Sequence, residues 1–138
     1  MSYLTYGMIK PDAVQKNYTG KIIDKILEAG FKIRGMKLLQ LTKSQAEKFY
    51  IIHKERPFYN ELVDYITSGP VVALALEKEN AVADFRALLG ATDPNEAAEG
   101  TIRRLFGESK AINAIHGSDS NENALIEINF MFSNLELI

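Results

Sequence analysis

The run Val71-Val72-Ala73-Leu74-Ala75-Leu76, closed off by Ser68-Gly69-Pro70 before it and Glu77-Lys78-Glu79 after it, constrains the fold more than any other segment. A short, unbroken apolar stretch between breakers suits a strand buried in the middle of a sheet better than a short helix. The other elements must be arranged around that strand.

Upstream, Tyr3 to Ile9 reads as a strand stopped by Lys10-Pro11-Asp12, since Pro11 cannot donate to a ladder. Ile22, Ile23, Ile26 and Leu27 recur at helical spacing between Thr19 and Gly30, and Phe31 to Leu41 returns as a strand. Thr42-x-x-Gln45 is a capping box that opens a helix carrying Ala46, Phe49 and Tyr50. A second helix from about Phe58 to Thr67 completes a helical hairpin. Downstream, Asn80 to Leu89 is a helix with Val82, Phe85, Leu88 and Leu89 on one face and Gly90 as its stop. From Gly90 to Ala114, Asp93-Pro94, Gly100 and Gly107 argue for a long functional loop with few apolar anchors rather than one long helix. A short strand holding His116 follows, and a last helix from about Ser120 to Phe132 should bury Leu125, Ile128 and Phe132. This order predicts an α+β fold in one domain, residues 1–138. The layout is a ferredoxin-like split βαβ sandwich with a four-stranded antiparallel sheet and a helical hairpin inserted between the second and third strands.

Composition removes several function classes. A formal net charge of −2 offers no global attraction to nucleic acid, so no dedicated nucleic-acid site is expected, and any anion site must be a local cluster of Lys and Arg. With no cysteine and 2 histidines, neither a thiolate metal site nor a His-rich centre is expected. The opening stretch Met1 to Ile9 is too short for a membrane helix and lacks a basic flank, so a soluble, cytoplasmic protein is expected.

The segment Asn113-Ala114-Ile115-His116-Gly117-Ser118-Asp119-Ser120 carries the strongest functional signal. A neutral imidazole can act as a nucleophile without prior deprotonation, and Gly117 would leave room for an incoming group. Ser118, Asp119 and Ser120 supply helix N-cap chemistry, with Glu122 three residues after Asp119 in capping-box position, so the histidine precedes a helix start, where amides and dipole favour anions. The plainer alternative is a turn histidine bonded to a nearby carbonyl. Lys10, Arg86, Thr92 and Arg103 fall at element ends or in the long loop and could surround a phosphate, or could each be a solvated surface residue. No Walker, protein-kinase or Rossmann glycine motif occurs, so side chains would have to hold the phosphate. Phe58 and Tyr59 could form a stacking lip for a base or pack inward, and His53 reads as a solvent-edge residue.

Six segments, in order over nearly the whole chain, resemble the nucleoside diphosphate kinase family: Ile9-Lys10-Pro11-Asp12-Ala13-Val14-Gln15, Arg56-Pro57-Phe58, Ser68-Gly69-Pro70-Val71-Val72-Ala73, Leu89-Gly90-Ala91-Thr92-Asp93-Pro94, Gly100-Thr101-Ile102-Arg103 and the octapeptide around His116. The resemblance implies exchange of the γ-phosphoryl between nucleoside tri- and diphosphates, ribo and deoxy, through a phosphohistidine on Nδ1 of His116. It implies Mg²⁺ held by nucleotide phosphates and water, with no metal ligand from the protein. It also implies that Lys10, Tyr50, Arg86, Thr92, Arg103 and Asn113 surround phosphates, ribose and histidine, that Phe58 stacks on the base, and that Ser120 and Glu127 orient the imidazole. The expected state is a homo-oligomer, a hexamer rather than a tetramer. Departures from the family pattern are Arg104-Leu105 after Arg103, Lys110 where an aliphatic residue often covers the base, and a short end at Ile138. Against this stand a catalytically silent nucleotide-binding relative and a plain α+β domain.

Overall fold

The computed structural model describes residues 3–138; Met1 and Ser2, the first residues of the opening apolar stretch, lie outside them. Four strands, β1 (Leu4–Ile9), β2 (Lys32–Leu39), β3 (Val71–Glu77) and β4 (Ile115–Gly117), form one sheet in the order β2-β3-β1-β4. Every pairing is antiparallel. This is the expected split βαβ sandwich. β3 lies between β2 and β1, where its apolar run finds cover on both faces.

The alternation along β3 shows how. Val72, Leu74 and Leu76 join Ile9, Ile26 and Phe85 under α2 (Thr19–Glu28) and α5 (Ala81–Leu89). Val71, Ala73 and Ala75 join Tyr6, Met8 and Ile128 on the opposite face, under α7 (Asn121–Met131) and the hairpin α3 (Lys43–Phe49) and α4 (Tyr59–Ile66). A strand covered on both faces cannot alternate apolar and polar, which is why 71–76 shows no polar break. Thr42 and Gln45 form the expected reciprocal capping box at the start of α3.

Two short helices were not expected. α1 (Pro11–Gln15) starts on the proline read as a strand stop, which suits a helix's first turn because its missing N–H has no intrahelical partner there. α6 (Ile102–Phe106) interrupts the long loop. That loop is also better anchored than expected. Ile102 is fully buried, Pro94 is buried, and Phe106 stacks on Tyr18 with ring centroids 5.0 Å apart. Pro94 fills the space beside Gly107, where an added Cβ would come within 2.6 Å of the Pro94 ring.

Of the stripe expected on the last helix, Ile128 and Phe132 are buried and Leu125 is not. Ala124, Ile128 and Met131 are buried while Leu125 is 53% exposed. At about 100° per residue, Leu125 lies roughly 200° from Glu127. Turning Glu127 toward β4 therefore turns Leu125 to solvent. Of the three N-cap candidates Ser118, Asp119 and Ser120, it is Ser120 that caps the helix, accepting from the Asn123 amide at 3.1 Å.

Candidate active site

The site forms where β1 and β4 end side by side. The Lys10 amide donates to the Ala114 carbonyl at 2.8 Å, joining the end of β1 to the approach to His116. Ala114 takes φ +77°, a region an L-residue rarely adopts, and Ile115 N bonds back to Asn113 O at 3.0 Å around it. This tight turn lets Asn113 reach back to the Lys10 ammonium, which donates to Asn113 Oδ1 at 2.9 Å. The Asn113 amide nitrogen donates to the Thr92 and Lys110 carbonyls at 3.2 and 3.3 Å. Local strain here is repaid by joining three segments at one point.

His116 pairs with Met8 across the β1–β4 ladder and points to the same sheet face as Tyr6 and Met8. Its Nε2 bonds Glu127 Oε1 at 2.9 Å, and the same oxygen accepts from Ser118 Oγ at 2.6 Å. Ser118 therefore stands where Ser120 was expected. Ser120 shares a helical face with Glu127 by spacing, but as N-cap its hydroxyl is committed to the helix amide. Gly117 also has a different purpose from the one expected. A Cβ there would come within 2.7 Å of Leu89 on α5, so the glycine lets the helix approach the sheet on the face opposite the imidazole.

Around the imidazole is a cleft of about 390 Å³, lined by residues that include Lys10, Tyr50, Arg86, Thr92, Arg103 and Asn113. The structure thus brings together the phosphate-side residues singled out from sequence. It adds His53, read from sequence as a solvent-edge residue, which lines the same cleft and lies between the Tyr50 and Phe58 rings with centroids 6.2 and 5.7 Å away. Helical periodicity could not place it, because Ile51–His53 is a 3₁₀ turn. A contiguous chamber of about 600 Å³ shares Lys10, Leu62, Thr92 and Asn113 with the cleft and is walled by Phe58, Ile112 and Lys110. Phe58 is 45% exposed, a ring face offered to the chamber rather than a core residue.

The charges are arranged for an anion. Burial, then the Arg103 guanidinium, lowers the Lys10 ammonium to about 8, and Asp12 opposes the shift. Arg103 is lowered to about 10 by burial and by Arg86. Desolvated like charges repel until a phosphate neutralises them. Arg103 also serves the fold, donating to Gly90 O and Ile115 O, each at 3.0 Å. Arg104 faces the other way and donates to Asn95 O at 3.2 Å. Among the described residues, no group of three or more His, Cys, Asp or Glu side chains could hold a metal ion.

The nucleoside diphosphate kinase profile matches residues 4–137. The chain belongs to the nucleoside diphosphate kinase family. Curated relatives of that name include one from Nitratiruptor sp., 60% identical over 97% of this chain and 98% of its own length, and one from Chloroherpeton thalassium, 59% identical over 97% and 95%. Among solved structures, the nucleoside diphosphate kinase of Aquifex aeolicus superposes with TM-score 0.97 at 46% identity, covering 99% of each chain. That of Halobacterium salinarum, in complex with CDP, gives 0.95 at 38%, covering 100% of this chain and 92% of the other. Nucleoside diphosphate kinases are phosphotransferases, and this chain is an enzyme of that class. Of the family departures, Lys110 sits on the wall of the larger chamber and Arg104 outside the cleft, and the Ile138 amide donates to Arg34 O on β2 at 2.9 Å. No helix among the described residues is long and apolar enough to cross a membrane.

Proposed function

We propose that the enzyme transfers the γ-phosphoryl between nucleoside tri- and diphosphates by a ping-pong route in which His116 Nδ1 carries the group. The observation that carries this reading is the commitment of Nε2: it is bonded to Glu127, which leaves Nδ1 as the ring nitrogen open to the cleft. In the first half-reaction the Nδ1 lone pair attacks the γ-phosphorus. The bond to the β,γ-bridging oxygen breaks and its electrons leave with the nucleoside diphosphate. The second half-reaction reverses this, a terminal β-phosphate oxygen of the acceptor displacing Nδ1. The Nε2 proton stays on the ring throughout, held by Glu127, so the positive charge developing on the imidazole meets a carboxylate.

Lys10, Arg86 and Arg103 stabilise the charge on the equatorial oxygens, Tyr50 and Thr92 position the phosphates, Lys10 and Asn113 meet the ribose, and Phe58 stacks on the base. Mg²⁺ would be held by the nucleotide phosphates and water rather than by protein side chains, and would supply neutralisation of phosphate charge beside Lys10, Arg86 and Arg103.

We further propose self-association through β2, whose outer edge pairs with no other strand of the sheet and whose Met36 and Leu38 are 52% and 66% exposed. An apolar edge of this kind needs a cover, and a second copy supplies one. A hexamer built from such pairs is favoured over a tetramer.

The test is labelling with γ-³²P-ATP. The protein should acquire acid-labile, base-stable label and give parallel initial-rate lines, and His116→Ala should abolish both. An unlabelled wild type would return the silent-relative reading, and intersecting lines would exclude a phosphoenzyme route.

A further inference from the structure

Lys10 is 7% exposed and is repelled by Arg103, so other groups must keep its ammonium charged at the junction of cleft and chamber. Among the described residues its Nζ gives one hydrogen bond, to Asn113 Oδ1 at 2.9 Å, which leaves the other ammonium donors to a ligand. Two further interactions use none of those donors. The ammonium lies over the Tyr65 ring on α4, 5.7 Å from its centroid. Asp12, in the first turn of α1, supports the ammonium by charge against burial and Arg103, yet it takes its hydrogen bond from the Tyr65 hydroxyl rather than from Lys10. Its second oxygen, Oδ2, is buried and makes no hydrogen bond to any described residue. A carboxylate so placed is costly without a compensating charge, and Lys10 supplies one. Burial, then the hydrogen bond to Asp12, raises the Tyr65 phenol, so Tyr65 stays a donor throughout the range in which Lys10 titrates.

We propose that Asp12 and Tyr65 are a positioning pair for Lys10: the Tyr65 ring backs the ammonium, and the Tyr65 hydroxyl holds the Asp12 carboxylate as a counter-charge that takes none of the ammonium's donors. The arrangement avoids two failures. A direct Lys10–Asp12 ion pair would fill the donors that phosphate and ribose need. A buried ammonium beside Arg103 with no counter-charge would lose its proton more readily and offer an anion less. The hydrogen bond also ties the hairpin to α1 at the point where Lys10 leaves β1, so the chamber wall and the phosphate-side cation are set by one contact.

This inference rests on the placement of Lys10 at the nucleotide proposed above, and the experiment separates the two. The ¹³Cε titration of Lys10 in the nucleotide-free protein, followed by NMR and assigned through Lys10→Met, needs no turnover. Asp12→Asn keeps an acceptor for the Tyr65 hydroxyl and removes the charge. The Lys10 midpoint should then fall by about 0.5 pH unit or more, and the alkaline limb of kcat/KM should fall with it, equally for purine and pyrimidine diphosphates. In that background Tyr65→Leu, which removes the ring, should lower the midpoint further, whereas Tyr65→Phe, which keeps it, should not. With Asp12 intact, Tyr65→Phe frees the carboxylate to take the ammonium's donors, so KM should rise about threefold or more without a fall in midpoint, and the rise should vanish in the Asp12→Asn background. Arg103 on α6, Arg86 on α5, Glu61 on α4, Lys110 before β4 and His116 on β4 also line the two cavities that Lys10 joins. So do Tyr50 and His53 of the hairpin and Asp119 and Glu127 near α7, and all are constant across these variants. An unmoved midpoint in Asp12→Asn, equal effects of Tyr65→Leu and Tyr65→Phe in that background, an unchanged KM in Tyr65→Phe, or a limb that moves for one base class alone would each overturn the proposal. Failure of the wild type to take up ³²P would instead overturn the phosphoryl-transfer reading, with the lysine midpoints still deciding the role of the pair.

Discussion

Glu127 Oε1 lies 2.9 Å from His116 Nε2, so the helix that follows β4 fixes which ring nitrogen faces the cleft. Ser118, one residue after Gly117, completes the arrangement from the strand side by donating to the same oxygen. The orientation of the His116 ring therefore depends on contacts across the β4–α7 turn, and neighbouring serines have separate duties.

Ser118→Ala and Ser120→Ala should separate those duties. The first removes a donor to Glu127 and should lower kcat by roughly tenfold or more, the scale seen when a partner supporting a reactive group is lost. The second removes the α7 cap and should cost about 1 kcal/mol of stability, measured by urea unfolding, with little change in kcat. Equal kinetic losses would contradict the assignment.

The arginines should likewise divide. Arg86→Ala and Arg103→Ala should each lower kcat/KM by about 10² to 10³, the effect of losing one preorganised donor in the transition state. Only Arg103→Ala should also lower Tm, because its guanidinium holds Gly90 O and Ile115 O. Arg104→Ala should affect turnover far less than either, and an equal loss there would show that the wrong arginine had been placed on the phosphate.

Lys10 makes the enzyme sensitive to alkali. With its ammonium lowered to about 8, chiefly by burial and next by Arg103, kcat/KM should fall as pH rises through that value. Arg103→Lys retains the repulsion, whereas Arg103→Ala should move the limb upward. Stability should run the other way. The unfolded chain binds more protons at Lys10 between about pH 8 and its unperturbed value near 10.4, so stability gains from this residue as pH rises across that window. Chemical denaturation at pH 7.5 and 10 should show the wild type gaining stability relative to Lys10→Met, since the buried tyrosines contribute equally to both.

Base discrimination should be weak. Phe58 offers a ring face, and most of the chamber beside it is apolar, so purine and pyrimidine diphosphates should all accept phosphate. A loss of about 10⁴ for one base class, the size seen when a hydrogen-bonding site meets the wrong partner, would contradict stacking as the basis of recognition. Coupled assays with each diphosphate against a common donor decide the point.

Assembly should depend on β2. Met36→Glu and Leu38→Glu should lower the mass found by light scattering at micromolar concentration, while Pro94→Ser, which loosens the packing against Gly107, should lower Tm more than activity. A wild type that is monomeric and fully active would refute self-association through the strand edge.

The order of elements was legible in the chain because each signal is local. The apolar run at 71–76, the Thr42 capping box, the Gly90 stop and the spacing of Ile22 and Ile26 depend only on neighbours a few residues away. The resemblance carried by six blocks of residues pointed to His116 and to the residues that line its cleft. What sequence alone could not decide is which side of each residue meets which partner. Whether Ser118 or Ser120 reaches Glu127 depends on where α7 begins, and Leu125 faces solvent through the same helix orientation that brings Glu127 to His116. Gly117 was read against the wrong neighbour because its crowding residue, Leu89, comes from the opposite face of the sheet. His53, hidden from helical spacing in a 3₁₀ turn, became a cleft residue only when the hairpin folded over β4. Periodicity and capping are properties of one segment; the partner of a buried oxygen and the side of a ring are set by long-range packing, and exist only once the sheet and its two layers of helices have closed on each other.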